Sequence, residues 1–180
     1  MSTTRLELQR DDSRLQGNLL DQRLEGPLQI SEHGRPQARL EYRDGVLHGT
    51  STLYHPNGQV SALMPHAQGR PHGQARFYSD EGWLQRTINY RNGLMHGKAS
   101  SYFANGQVAE QACYHEGVLH GPLQRFHPNG QLALNSRYAQ GQSLGTPLTY
   151  DAQGHTLDEQ GRRPSRLRIW LDNWREPRDN

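Results

Sequence analysis

Apolar and polar positions alternate along this chain in short runs, and the runs recur. Reading by twos from Leu84 gives Arg86, Ile88 and Tyr90; from Val108 it gives Glu110, Ala112 and Tyr114. The residues between them, such as Gln85, Thr87, Asn89 and Gln111, are small or polar. Alternation with a period of two marks a half-buried strand. An aromatic column runs through Tyr54, Tyr78, Tyr102, Phe126 and Tyr150, followed by an aliphatic column at Val60, Leu84, Val108 and Leu132, with Thr156 in the last place. Between the two columns stands a glycine: Gly58, Gly82, Gly106, Gly130 and Gly154. Three of these glycines follow asparagine, at Asn57, Asn105 and Asn129. Asn-Gly between alternating runs is a strong hairpin signal.

Two further glycine columns keep the same 24-residue step: Gly45, Gly69, Gly93, Gly117 and Gly141, then Gly49, Gly73, Gly97, Gly121 and Gly145. Self-similarity at such a period denotes a repeat architecture. Each unit is predicted to be a β-hairpin, with the first two glycines shaping the turn into the next. A lone hairpin is marginal in water, so the units must stack, and the aromatic column is predicted to be the buried ladder. Five regular copies run from Tyr42 to about Leu157. A diverged one spans Leu19–Glu41, where Gly26 and Gly34 match the second and third glycines. The predicted fold is all-β: an elongated meander of stacked hairpins with a short C-terminal capping helix. Its segments are an N-terminal flank (1–18), a six-copy array (19–157) and a cap (158–180). In the cap, Leu167, Trp170, Leu171 and Trp174 lie at helical spacing, with Ser165 as N-cap and Pro177 as stop. Leu167, Ile169 and Leu171 also fit a strand. Such a cap would cover the last hairpin's edge; Trp170 and Trp174 as a docking surface are the alternative.

Composition changes this picture little. Only 32% of residues are apolar and mean hydropathy is −0.98, low for a compact sphere but suited to a thin repeat array. One cysteine, Cys113, leaves no disulfide framework and permits a reducing compartment. No run approaches the roughly 18 apolar residues of a membrane span. Charges occupy the N-terminus where a signal peptide needs an apolar core, so a cytoplasmic protein is expected.

Candidate chemistry is sparse. Of ten histidines, His48, His72, His96 and His120 form a column before the second glycine. Equivalent residues two strands apart lie roughly 9–10 Å from one another. Zinc ligands must all sit about 2.0–2.1 Å from the metal, so this column cannot share an ion. His115 with His120, and His66 with His72, come within reach across a turn, but no acidic or thiol ligand recurs beside them. No metal, cofactor or catalytic constellation is expected, and the chain does not read as an enzyme. Basic and acidic residues nearly balance, 20 against 18. The excess lies in the tail, where six arginines face three acids between 161 and 180; that describes a solvated face better than a nucleic-acid site. A pI near 8.9 has the wrong sign for a nucleic-acid mimic.

Protein binding remains. In the column after the third glycine, three copies carry glutamine (Gln59, Gln107, Gln131) and one carries His155, whereas one copy alone carries Trp83, a residue type enriched at interface hot spots. Phe77 occupies a column filled elsewhere by Leu53, Ser101, Arg125 and Thr149, too variable to be required for stacking. Trp83, Phe77, Leu53 and Arg125, with the polar Thr87 and Gln111, make the predicted partner-binding set. The alternative for Trp83 is that it folds over its own hairpin, compensating for the missing Asn-Gly at Glu81-Gly82.

From Tyr90 through Gly106 the residues follow Y-x-x-G-x-x-H-G-x-x-x-x-Y-x-x-N-G. This pattern resembles the MORN repeat, most closely its 24-residue bacterial variant of antitoxin type, over about Leu19–Leu157. The tryptophan of the eukaryotic unit is absent, so that branch's lipid binding is not carried over. One copy also departs at His66 and Glu81. The resemblance implies an elongated binding platform. It also implies a cytoplasmic immunity or antitoxin protein that occludes a cognate toxin, type VI secretion effectors being one such class. A non-enzymatic scaffold or adaptor without a toxin partner is the alternative.

Overall fold

The computed structural model describes residues 2–163. The predicted capping helix from Ser165 to Pro177, with Trp170 and Trp174, lies outside the described residues. Among the described residues eighteen strand segments join one antiparallel sheet, the longer strands pairing in chain order and the shortest only with the strand before them. Five are two residues long; four of these, Arg23–Leu24, Val46–Leu47, Arg70–Pro71 and Gln142–Ser143, are stubs on the preceding strand, leaving fourteen rungs with Thr156–Leu157 as the last. Where Leu94–Tyr102 and Val118–Phe126 are continuous, the stub has merged with the strand that follows. The sheet is open. Among the described residues, Thr3–Arg10 pairs only with Ser13–Leu20, and Thr156–Leu157 only with Leu148–Tyr150. The N-terminal hairpin turns at Asp11-Asp12 without glycine, so no glycine column announces it.

Two kinds of turn alternate. At the first glycine the loop has two residues, as where Arg91 pairs with Leu94 across Asn92 (φ 51°) and Gly93 (φ 88°). Both are left-handed, as a type I′ turn requires. The third glycine closes a wider loop. The His55 N–H donates to the Gln59 carbonyl and the Gly58 N–H to the His55 carbonyl, both at 2.8 Å. Only Gly58 has positive φ there, the pattern of a three-residue loop ending in a left-handed glycine. Asn57-Gly58 therefore does mark a reversal, but not the tight primed turn that the dipeptide usually signals.

The second glycine makes a bulge. Tyr90 pairs with Met95 and Ile88 with Ala99, so His96, Gly97 and Lys98 all lie opposite Asn89 alone. The extra residues bend the strand, and Gly97 takes φ 83° to allow it.

The core corrects the expectation of a buried aromatic ladder. Tyr54, Tyr78, Tyr102, Phe126 and Tyr150 are only half-buried. The deepest row consists mostly of small residues. Ala75 pairs with Ile88, Ile88 with Ala99, Ala99 with Ala112, Ala112 with Leu123 and Leu123 with Ser136. All six are buried, Ala75 to 0% exposure. Alternation puts this row on one face and the aromatic column, which keeps the phase of Ser100, on the other. Small side chains suffice in a one-layer sheet because longer neighbours on the same face close over them. These are Tyr90, Tyr114 and Tyr138 on one flank, and Leu53, Phe77 and Arg125 on the other.

Candidate functional site: a groove on the inner face

The face carrying the small row is here called the inner face. Going outward from the row, the next residues of that face also form a line across the strands. Leu53 and Phe77 both pair with Ala62, Phe77 with Arg86, Arg86 with Ser101, Ser101 with Glu110, and Glu110 with Arg125. Side chains directly opposite in such a line have Cβ atoms about 4.5–5.5 Å apart and touch.

One unit breaks the line. Where neighbouring units place Phe77 with Ile88, or Arg125 with Leu123, the unit Tyr90–Cys113 has Ser101, Ala99 and Ala112. Three small residues coincide and leave a groove of about 400 Å³. Phe77 and Tyr114 wall it, Ala99 and Ala112 form the floor, and Arg86, Ser101 and Glu110 line it. Its two charged groups differ in their partners. The Arg125 Nε donates to Glu110 Oε2 at 2.7 Å. Arg86 is exposed, and its guanidinium makes no hydrogen bond or ion pair among the described residues.

Of the predicted partner-binding residues, Leu53, Phe77 and Arg125 fall in this one line, and Leu53 is 41% exposed. Thr87 and Gln111 are on the opposite face, both paired with Ser100. Thr87 is buried at 8%, with its hydroxyl 3.4 Å from that of Tyr102. Trp83 is half-buried at the third-glycine loop, away from the groove. Its N–H donates to Ser79 Oγ at 3.3 Å, and its indole Nε1–H to Glu81 Oε2 at 3.3 Å, both within its own loop. Arg86, Ser101, Glu110 and Tyr114 were not singled out from the sequence. The signal that could have found them is the coincidence of Ala99, Ser101 and Ala112 in columns that are bulkier in adjacent copies.

The loops at the third glycine interlock along the sheet edge. Asn57 Nδ2 donates to the Asp80 carbonyl at 2.7 Å and Asn129 Nδ2 to that of Ala152 at 2.8 Å. The ring Nε2 atoms of His55 and His127 bond the Tyr78 and Tyr150 carbonyls at 3.0 and 2.9 Å. At the other edge, the His115 ring lies between His96, 5.0 Å away, and His120, 5.8 Å away. Among the described residues no cluster of three His, Cys, Asp or Glu could hold a metal ion. In the last loop, burial pushes the Asp151 carboxyl up, but the His155 and Gln153 amides and the Arg163 guanidinium outweigh it and hold the pKa down to about 2. No described helix is long and apolar enough to cross a membrane.

A family model described as MORN repeat variant matches residues 47–67, 71–92, 95–116 and 119–139. No curated protein matches the chain.

Proposed function

This chain belongs to the MORN repeat variant family, and from that membership we propose that it neutralises a cognate bacterial toxin by binding and covering it. Such repeats form a scaffold for protein interaction. The observation that supports a specific partner is the groove between Phe77 and Tyr114, the one place where the central unit withholds bulk from the inner face. Around it, the line from Leu53 to Arg125 offers an exposed aliphatic group, an aromatic ring and charges of both signs. That is the makeup of an interface centre with a polar rim. Fourteen rungs at about 4.8 Å extend roughly 60 Å, ample for the roughly 800 Å² that each partner buries in a standard interface. The chain acts in the cytoplasm, without chemistry or a cofactor of its own, and blocks its target by occlusion. Secreted effectors of the type VI class are among the toxins such a surface would serve.

Coexpression with the toxin encoded beside its gene tests this. The parent chain is expected to restore growth and to co-purify with the toxin. Phe77→Ser should lose about 2 kcal/mol of binding, in the hot-spot range, measured at a temperature where its circular-dichroism spectrum matches that of the parent. Trp83→Ala reports separately whether the loop tryptophan adds to the interface or only to its own hairpin. Growth that stays arrested alongside the parent chain would refute neutralisation. A stable complex without rescue would assign the array to an adaptor role instead.

A further inference from the structure

We propose that the groove receives an extended segment of the partner protein that seats an aspartate or glutamate carboxylate on Arg86 and an adjacent apolar side chain between Phe77 and Tyr114. This rests on the array having a protein partner; it adds which residues read that partner and what they read.

Charge complementarity carries the assignment. The line across the inner face holds two cations and one anion within five positions: Arg86, Glu110 and Arg125. Glu110 is engaged by Arg125 at 2.7 Å, while Arg86 has no partner among the described residues. The groove therefore presents one uncompensated guanidinium. Its five N–H donors form a planar fork that matches a carboxylate in bidentate fashion. A lysine or arginine of the partner would meet Arg86 as a like charge and would find Glu110 already satisfied. One free cation is also too little for a nucleic-acid backbone, whose binding scales with the number of phosphates neutralised.

The rest of the lining fixes the neighbouring side chain. Ala99 and Ala112 are buried and carry no polar side-chain atom, and Phe77 and Tyr114 stand at either end of the groove. About 400 Å³ is of ligand-pocket size, so a segment, and not a single methyl group, can enter. An aromatic pocket beside an arginine is also the kind of site in which interface energy concentrates.

A random twelve-residue peptide library displayed on phage and sorted against the full chain tests this without any toxin. Enriched peptides should share an Asp or Glu next to a large apolar residue. A synthetic copy of one should bind Arg86→Glu at least tenfold more weakly than the parent. Changing the peptide's acid to arginine should restore binding to Arg86→Glu, which a merely structural role for Arg86 would not produce. Ser101→Trp, which fills the groove, should abolish binding with the far-ultraviolet spectrum retained, and Arg76→Glu on the opposite face should leave it unchanged. Peptides without a shared acid, equal affinity for Arg86→Glu, or a library that yields no peptide displaced by Ser101→Trp would each overturn the proposal. If growth rescue fails while the charge swap succeeds, the groove assignment stands and only the toxin is wrong.

Discussion

At the scale of single residues, the loops at the third glycine show one requirement met by three residue types. Each loop leaves backbone N–H groups that need an acceptor. Asn57, Asn105 and Asn129 supply it with Oδ1, accepting from the N–H two residues on at 3.0, 3.0 and 3.1 Å. Where the asparagine is replaced, the acceptor moves two positions earlier. Ser79 Oγ accepts from the Glu81 and Trp83 amides at 3.2 and 3.3 Å, and Asp151 Oδ1 from those of Gln153 and His155 at 2.9 Å. Short polar side chains bonding the backbone just ahead of them are a standard turn device. Ser79→Ala should therefore cost about 1 kcal/mol, the net worth of a typical hydrogen bond, in urea unfolding. Adding Glu81→Asn to that variant should recover part of the loss, since it returns the acceptor used by the other copies. No recovery would show that the two positions do not substitute for each other.

At the scale of the element, the second glycine of each unit bends the strand but is not equally crowded in every copy. Gly97 and Gly121 both have positive φ, 83° and 105°, where an L-residue costs roughly 1–2 kcal/mol. A Cβ at Gly97 would meet nothing nearer than Asn89 Cβ at 4.0 Å, whereas one at Gly121 would lie 3.2 Å from Cys113 Cβ. Gly121→Ala should then destabilise more than Gly97→Ala, from the crowding together with its larger departure from the left-handed well. Urea midpoints measured on the two variants decide it, and equal losses would rule out a contribution from crowding at Cys113. The contact at Gly121 also explains why a cysteine sits comfortably beside it: Cys113 packs its short side chain against bare backbone.

At the scale of the whole molecule, stacking in one dimension leaves a large surface. The accessible area is 12675 Å², against about 8,800 Å² for a compact protein of this mass. Small-angle scattering should return a radius of gyration clearly above the roughly 16 Å of a compact chain of this length; the compact value would contradict an open array. Because each unit touches only its neighbours, stability should behave as a sum of unit and interface terms. A core made largely of alanine and serine, with Leu28, Ile88 and Leu123 as its larger members, makes those interfaces thin, so the array depends on many weak contacts.

The repeat, its period and its turns were legible in the sequence, because glycine is the residue that tolerates the positive φ those turns need and it recurs without slip. The strand alternation was legible for the same local reason. Which side chains lie deepest was not. Tyrosines at a fixed step look like a core, yet Ala75, Ala99 and Ala112 hold that place, since burial depends on what flanks a position across the sheet and not on its own size. Thr87 and Gln111 stand with Phe77 in the predicted partner-binding set, but pleating puts them on the other side of the sheet. Cross-strand register alone put Phe77, Arg86, Ser101 and Glu110 side by side. That register is set by the bulges and turns together, so the groove and its unpaired arginine exist only once the sheet has formed.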